Sequence, residues 1–266
     1  MFSHFVIGSD APQRAARFYA AVMPLLGFAA RSSAGSALSF AHRSSWPWVV
    51  VRRPDGGGPF DRGNGYHVAF HVADEATVQG FHAAALAAGG SDEGGPGLRE
   101  VYAPDYYGAY VRDPDGNKLQ AVTYLNGRKA GPGGDVTSHI TLGSNDLKRS
   151  CNFYTALMAT LGHARLPEEE EDEFDYAFGH AGHALPVVFP QLTFDELPAR
   201  PPHGSYSVFR AASRQQVDDF HREGLRLGGS EIAAPGDNFD GGPAGYCAAI
   251  ADLDGNALHV LCPDGD

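Results

Sequence analysis

The chain has 266 residues, enough for one large domain or two ordinary ones, and its 43% hydrophobic and 11% aromatic content suffices for a packed core. A formal net charge of -12 argues against nucleic acid as a partner, because phosphate binding needs clustered Lys and Arg; a neutral, cationic or metal-chelated small ligand fits better. No apolar run approaches the roughly 20 residues of a membrane span, and Met1-Phe2-Ser3-His4 opens directly into a strand pattern, so the expected compartment is the cytoplasm. Cys151, Cys247 and Cys262 are odd in number and lack metal-type spacing, and they read as buried thiols.

The opening strand, Phe2 to Ile7, leads to a helix over Pro12 to Leu26 in which Ala15, Phe18, Tyr19, Val22 and Leu26 recur at helical spacing. Asp10 stands where an N-cap is wanted, and Pro12 falls in the first turn. Strands near Phe28, Leu38 and Val49 complete this unit. A second unit repeats the order: strand Tyr66 to Val72, helix Glu75 to Ala88 stopped by Gly89-Gly90, a loop through Gly97, then strands Tyr107 to Arg112 and Lys118 to Tyr124. Between those last two strands lies Asp113-Pro114-Asp115-Gly116-Asn117, a tight-turn signal that fixes register and hence the face on which Gln120 falls.

The whole pattern occurs twice. His4-Phe5-Val6-Ile7-Gly8-Ser9-Asp10 matches His139-Ile140-Thr141-Leu142-Gly143-Ser144-Asn145 at an offset of 135 residues, and Phe18-Tyr19 matches Phe153-Tyr154. Further on, Phe81-His82 matches Phe220-His221 and Gly89-Gly90 matches Gly228-Gly229 at an offset of 139, which places a four-residue insertion at the acidic run Glu168 to Glu173. Ala248 to Leu261 repeats the closing hairpin, with His259 where the first half has Gln120. A period this long indicates a duplicated domain rather than a solenoid. The halves are 1–125 and 137–266, joined by a Gly-rich linker over 126–136.

Strand parity sorts the side chains. Val68, Phe70 and Val72 share the face suited to packing under a helix, and His67, Ala69 and His71 lie on the other. Likewise Phe5 and Ile7 oppose His4 and Val6, and Leu119 and Ala121 oppose Gln120 and Val122. His71 is thus a candidate acid or base beside His67. Tyr106-Tyr107 and Tyr110 are candidates to line a cleft, and Arg99 to clamp a carboxylate or phosphate. His82 and His221 read as surface or packing residues, and Asp237, Asp240 and Gly241-Gly242 as loop chemistry. His180 and His183 have the spacing of a metal pair, but flanking Gly favours a turn.

With His4 in the opening strand, Gly65-Tyr66-His67-Val68-Ala69-Phe70 opening the second unit, Phe81-His82 through Gly89-Gly90, and Asp113-Pro114-Asp115-Gly116-Asn117 before the closing strand, the chain resembles the vicinal oxygen chelate superfamily. That superfamily includes glyoxalase I, extradiol ring-cleaving dioxygenases and bleomycin-resistance proteins. The resemblance implies an α+β fold of tandem glyoxalase-like domains, with four βαβββ modules whose curved mixed sheets surround clefts. It also implies a divalent metal, Fe, Mn, Ni or Zn, held by a His of the first strand, a His opening the second module and a Glu in the closing strand. Carried over position by position, these are His4, His67 and Gln120, the last an amide in place of the family carboxylate. In the second half the same positions hold His139, Tyr206 and His259, expected to line a substrate cleft with Tyr110 and Arg99; Tyr107 and His71 are the expected catalytic groups.

Two readings of function follow. One is a metal-dependent lyase or ring-cleaving dioxygenase acting on a small molecule with vicinal oxygens, the ion serving as Lewis acid, or also binding O2 if it is Fe(II). The other is a metal-free protein that sequesters a small cationic or aromatic molecule, as bleomycin-resistance proteins do. Fold analogy does not choose between them.

Overall fold

The computed structural model describes residues 1–31, 37–44, 46–127, 136–167, 176–193, 195–238 and 243–264. The first module is β1 (Phe2–Gly8), α1 (Pro12–Val22), β2 (Phe28–Arg31), β3 (Leu38–His42) and β4 (Trp48–Arg52). The second is β5 (His67–His71), α2 (Glu75–Ala87), β6 (Ser91–Leu98), β7 (Tyr106–Arg112) and β8 (Lys118–Tyr124). The third is β9 (Thr137–Gly143), α3 (Leu147–Ala159), β10 (Ala164–Arg165), β11 (Phe178–Gly179) and β12 (Val187–Gln191), and the fourth is β13 (Tyr206–Arg210), α4 (Arg214–Arg226), β14 (Ser230–Asn238), β15 (Gly245–Ala251) and β16 (Ala257–Pro263). Four βαβββ modules in an α+β arrangement are therefore present as the resemblance implies.

The modules do not pair within each half. One eight-stranded sheet runs β14-β15-β16-β13-β1-β4-β3-β2 and the other β10-β11-β12-β9-β5-β8-β7-β6. The first sheet joins modules one and four, the second joins modules two and three, and each draws on both 1–125 and 137–266. The joints are antiparallel: Val6 pairs with Tyr206 in one sheet and Ala69 with His139 in the other. This topology decides which candidate residues share a face.

One apolar cluster holds both sheets and all four helices, including Phe5, Phe18, Phe70, Phe81, Phe153, Phe209 and Phe220, each 2% exposed or less. Phe5 of β1 meets Phe70 of β5 edge-on at 6.2 Å, so the helix-side faces of the two sheets touch. The parity reading holds here: Val68 and Phe70, Phe5 and Ile7, and Leu119 and Ala121 all lie in this core. The opposite faces carry small clusters of their own, Val6, Val50, Tyr206, Val208 and Leu261 on the first sheet and Tyr106, Val122, Tyr124, Leu185 and Val187 on the second.

The Asp-Gly hairpins tie the sheets together. Asp113 Oδ1 accepts from the backbone N–H of Asp115 and of Asn117, Oδ2 accepts from Tyr19 Oη at 2.7 Å, and Gly116 supplies the positive φ of 93°. Asn117 Nδ2 then donates to the Gly8 carbonyl at the end of β1, across to the other sheet, at 3.0 Å. The second half repeats this with Asp252, Tyr154 and Asn256, whose Nδ2 reaches the Gly143 carbonyl at the end of β9.

Two local expectations need correction. Asp10 does not cap the first helix: Ala11 is the N-cap without a side-chain bond, and Asp10 Oδ1 accepts from the Phe60 N–H instead. The segment through Gly97 is the edge strand β6, paired with β7 through register shifts that absorb its glycines. The acidic run Glu168 to Glu173, residues 128–135 of the linker, and Asp240 with Gly241-Gly242 lie outside the described residues. Among the described residues no helix is long and apolar enough to cross a membrane.

Candidate functional site

Sheet order divides the expected metal set. His4 lies on β1 of the first sheet, whereas His67 and Gln120 lie on β5 and β8 of the second. The set His4, His67 and Gln120 is thus replaced by two sets, each drawn from both halves of the chain: His4 with Tyr206 and His259, and His67 with Gln120 and His139. The reason is the antiparallel joining of β1 to β13 and of β5 to β9.

On the first sheet, the Tyr206 ring lies flat on the His259 ring, with centroids 3.9 Å apart and planes 12° from parallel. Arg52, at the end of β4, donates from Nη2 to the Tyr206 hydroxyl at 2.7 Å and grips Asp55 through both terminal nitrogens. His4, 2% exposed, has its Nδ1 3.0 Å from Ser3 Oγ. A pocket of about 70 Å³ opens among His4, Asp55, Tyr206, Cys247 and His259. The phenol oxygen that a cation would need already faces a guanidinium, so these residues do not fit a metal.

The second sheet gathers its set by register. Ala69 of β5 pairs with Gln120 of β8 on one side and with His139 of β9 on the other, and His67 is two residues before it on the same face. The His67 and His139 ring centres are 5.4 Å apart. Thr141 Oγ1 donates to the Gly65 carbonyl at 3.0 Å and is 2.7 Å from His67 Nδ1. A hydroxyl has one proton to give, so His67 Nδ1 carries a proton and donates to Thr141. The lone pair of neutral His67 is then on Nε2, which is buried without a hydrogen-bond partner, and Gln120 Oε1 is in the same condition. Gln120 Nε2 is occupied, donating to Tyr106 Oη.

Burial sets the charge of this group. It pushes the His67 pKa well below the ordinary imidazole value, with His139 and Lys118 adding to the effect, while the Gln120 amide acts against it. Burial also lowers His139 to about 3. Both rings are therefore neutral near pH 7 and present lone pairs. Tyr110 packs edge-on at 6.1 Å from His67, with Lys118 Nζ 4.8 Å above its ring. Tyr106 stands 5.3 Å from Tyr102 and 5.4 Å from Tyr124, extending an aromatic wall.

The other candidates fall as follows. His71 shares the face of His67, half-buried, with its ring 6.1 Å from Tyr124. Tyr107 does not share the face of His67 and Gln120: its hydroxyl accepts from Gln79 of α2 at 3.0 Å, and it is Tyr106, one residue earlier, whose hydroxyl meets Gln120 Nε2. Tyr110 pairs with Gln120 across β7 and β8, so Tyr106 and Tyr110 share the face of Gln120 and Tyr107 cannot. Arg99 turns its guanidinium back onto the Gly95 and Leu98 carbonyls. His82 and His221 pin helices to edge strands, through Asp92 at 2.8 Å and Glu231 at 3.0 Å. Thr141, Lys118, Arg52 and Asp55 join these groups beyond the expected residues; parity across the β5–β9 and β7–β8 pairs places Thr141 and Lys118, whereas no local pattern in the sequence points to Arg52 or Asp55.

Among the described residues no three His, Cys, Asp or Glu side chains stand in position to hold a metal ion together. The second-sheet set has two imidazoles and an amide, and its two orphaned acceptors fit a cation's demand for lone pairs.

A glyoxalase-like domain family matches residues 4–122. The fold is similar to glyoxalase I from Zea mays, with a TM-score of 0.68 at 17% identity over 98% of this chain and 92% of that one. It is also similar to a Bacillus subtilis protein provisionally named a dioxygenase, with a TM-score of 0.64 at 15% identity over 99% of this chain and 85% of that one. A glyoxalase/bleomycin resistance protein from Albidiferax ferrireducens is 32% identical over 46% of this chain and 98% of its own, with a TM-score of 0.44. No curated protein matches the chain. Residues 4–122 thus match a glyoxalase-like domain family, and the four βαβββ modules with their paired Asp-Gly hairpins give the chain the fold of glyoxalase I.

Proposed function

We propose that the second sheet carries the working cleft and that His67, His139 and Gln120 bind a divalent cation there, for metal-dependent chemistry on a small molecule with two adjacent oxygens. The observation behind this reading is the pair of buried acceptors, His67 Nε2 and Gln120 Oε1, each without a partner on the face shared with His139. Leaving two such groups unmet is unfavourable by about 1 to 3 kcal/mol each, and a cation relieves both at once. When bound, the ion supplies Lewis acidity to the neighbouring oxygens, as lyase or ring-cleaving dioxygenase chemistry requires.

The chain's own groups do the rest. Thr141 holds the His67 tautomer that turns a lone pair outward. Tyr106 holds the Gln120 amide with its oxygen free. Gln120 cannot take a proton as a family glutamate would, so proton transfer falls to His71, on the same face. Tyr110 and Lys118 line the substrate side, with Arg99 at the rim.

The aromatic wall of Tyr102, Tyr106, Tyr110 and Tyr124 favours a second reading, a metal-free cleft that sequesters an aromatic molecule. Elemental analysis separates the two, on protein purified without chelators or an affinity tag. Near-stoichiometric Fe, Mn, Ni or Zn that falls by one equivalent in a His67→Ala/His139→Ala variant supports the metal reading. No such ion, even after incubation with each, leaves the sequestering protein.

A further inference from the structure

The second half contains a histidine cluster that the first half lacks, away from both outer faces. His163 directly precedes β10, and His180 directly follows β11. Ala164 pairs with Gly179 in that ribbon, so His163 and His180 face each other across it. Their ring centres are 4.4 Å apart at 87°. His183 returns over His180 through a turn closed by its N–H to the His180 carbonyl at 3.1 Å, with Gly182 at a φ of 79°, and the ring centres are 6.4 Å apart.

The first half shows what this place holds by default. Phe28 pairs with His42 across β2 and β3, the rings edge-on at 5.3 Å, and Phe28 packs against Phe70 in the core. His163 stands where Phe28 stands. It is 5% exposed, and both of its ring nitrogens are buried without a hydrogen-bond partner, as is Nε2 of His180. An imidazole in an apolar slot with three orphaned nitrogens around it is costly unless something meets them. Burial, then His180, then the Met1 amino group hold His163 near a pKa of about 3, so at neutral pH it offers a lone pair rather than a charge.

We propose that His163, His180 and His183 form a second cation site, selective for a late first-row divalent ion such as Zn(II), Ni(II) or Cu(II). An all-imidazole set with no carboxylate favours these ions over Mg or Ca. Two imidazoles sharing an ion at about 2.1 Å per bond place their ring centres roughly 4.5 to 6.5 Å apart, close to both spacings here. The rings meet edge to face and do not yet converge, in keeping with the absence of a ready-made three-residue group among the described residues. Binding therefore turns a ring, which is easiest for His183, exposed beside Gly182.

The test is titration of the full chain with Zn(II) and Ni(II) by calorimetry, with Co(II) absorption as a second readout. His163→Phe copies the residue the first half uses at this place and should keep the fold. It is expected to lower the binding stoichiometry by one ion per chain, whereas His67→Ala/His139→Ala retains that ion. His183→Ala, at an exposed position, is expected to weaken the same ion at least tenfold. Unchanged stoichiometry in a folded His163→Phe, or unchanged affinity in His183→Ala, overturns the site.

Discussion

Thr141 accepts the Nδ1 proton of His67 at 2.7 Å while giving its own hydroxyl proton to the Gly65 carbonyl, so a residue on β9 sets the tautomer of a histidine on β5. The two strands come from opposite halves of the chain, and His67 meets Thr141 and His139 only because β5 and β9 zip together. Orientation of a ligand imidazole by its other nitrogen is a common support of metal sites.

Thr141→Val keeps the shape and removes the acceptor. We expect divalent-ion affinity at the second sheet to fall by about 10- to 100-fold, with the fold intact. Calorimetric titration of the variant checks this, and affinity equal to wild type would mean that His67 does not ligate through Nε2.

Gln120→Glu restores a carboxylate on β8, on the side of His67 away from His139. If those groups hold a cation, affinity rises on the order of tenfold or more, because a charged oxygen replaces an amide oxygen. His4→Ala and His259→Ala, on the other sheet, are expected to leave that ion in place. Metal lost from either of those variants would show that the working cleft has been assigned to the wrong sheet.

The repeat, the module order and the two faces of each strand were legible in the sequence because they rest on local periodicity. The Asp-Gly hairpin was legible too, but as an organiser of register; its Asn117 also bridges the sheets through the Gly8 carbonyl, a contact 109 residues away that no local pattern announces. The pairing of modules was not legible, since β1 offers the same edge chemistry to a partner from either half. That one ambiguity decides that His4 lies on a different sheet from His67 and Gln120. Two adjoining tyrosines leave open which of Tyr106 and Tyr107 faces inward, and only pairing of Tyr110 with Gln120 shows that Tyr106 shares the face of Gln120. His163 lies 17 residues from His180, too far for spacing to suggest a cluster.

The hairpin bridge is itself testable. Asn117→Ala removes bonds to Gly8 and Asp113 and strands the Ser205 hydroxyl that donates to Asn117 Oδ1 at 2.9 Å. We expect a loss of about 2 to 4 kcal/mol in unfolding free energy. Denaturant titration measures it; a change below about 0.5 kcal/mol would mean that the bridge adds nothing beyond the turn.

Acid should unfold this protein through its buried histidines once chelator has removed metal. Burial lowers His139 and His163 to about 3 and holds His67 well below the ordinary value of 6.5. A base whose folded pKa is depressed is protonated first in the unfolded chain, so its contribution is intact above about pH 6.5 and shrinks as pH falls toward the folded value. Each such group removes at most about 1.4 kcal/mol per pH unit across that window. Asp113 and Asp252, which burial raises above 3.8, work in the opposite direction and only toward its acid end. Unfolding free energy measured by denaturant between pH 8 and pH 4 is therefore expected to be flat at first and then to fall steeply. His163→Phe removes one titrating group and should make the fall shallower by about one proton's worth of slope. An identical slope in the variant would show that His163 is already protonated, or already solvated, in the folded chain.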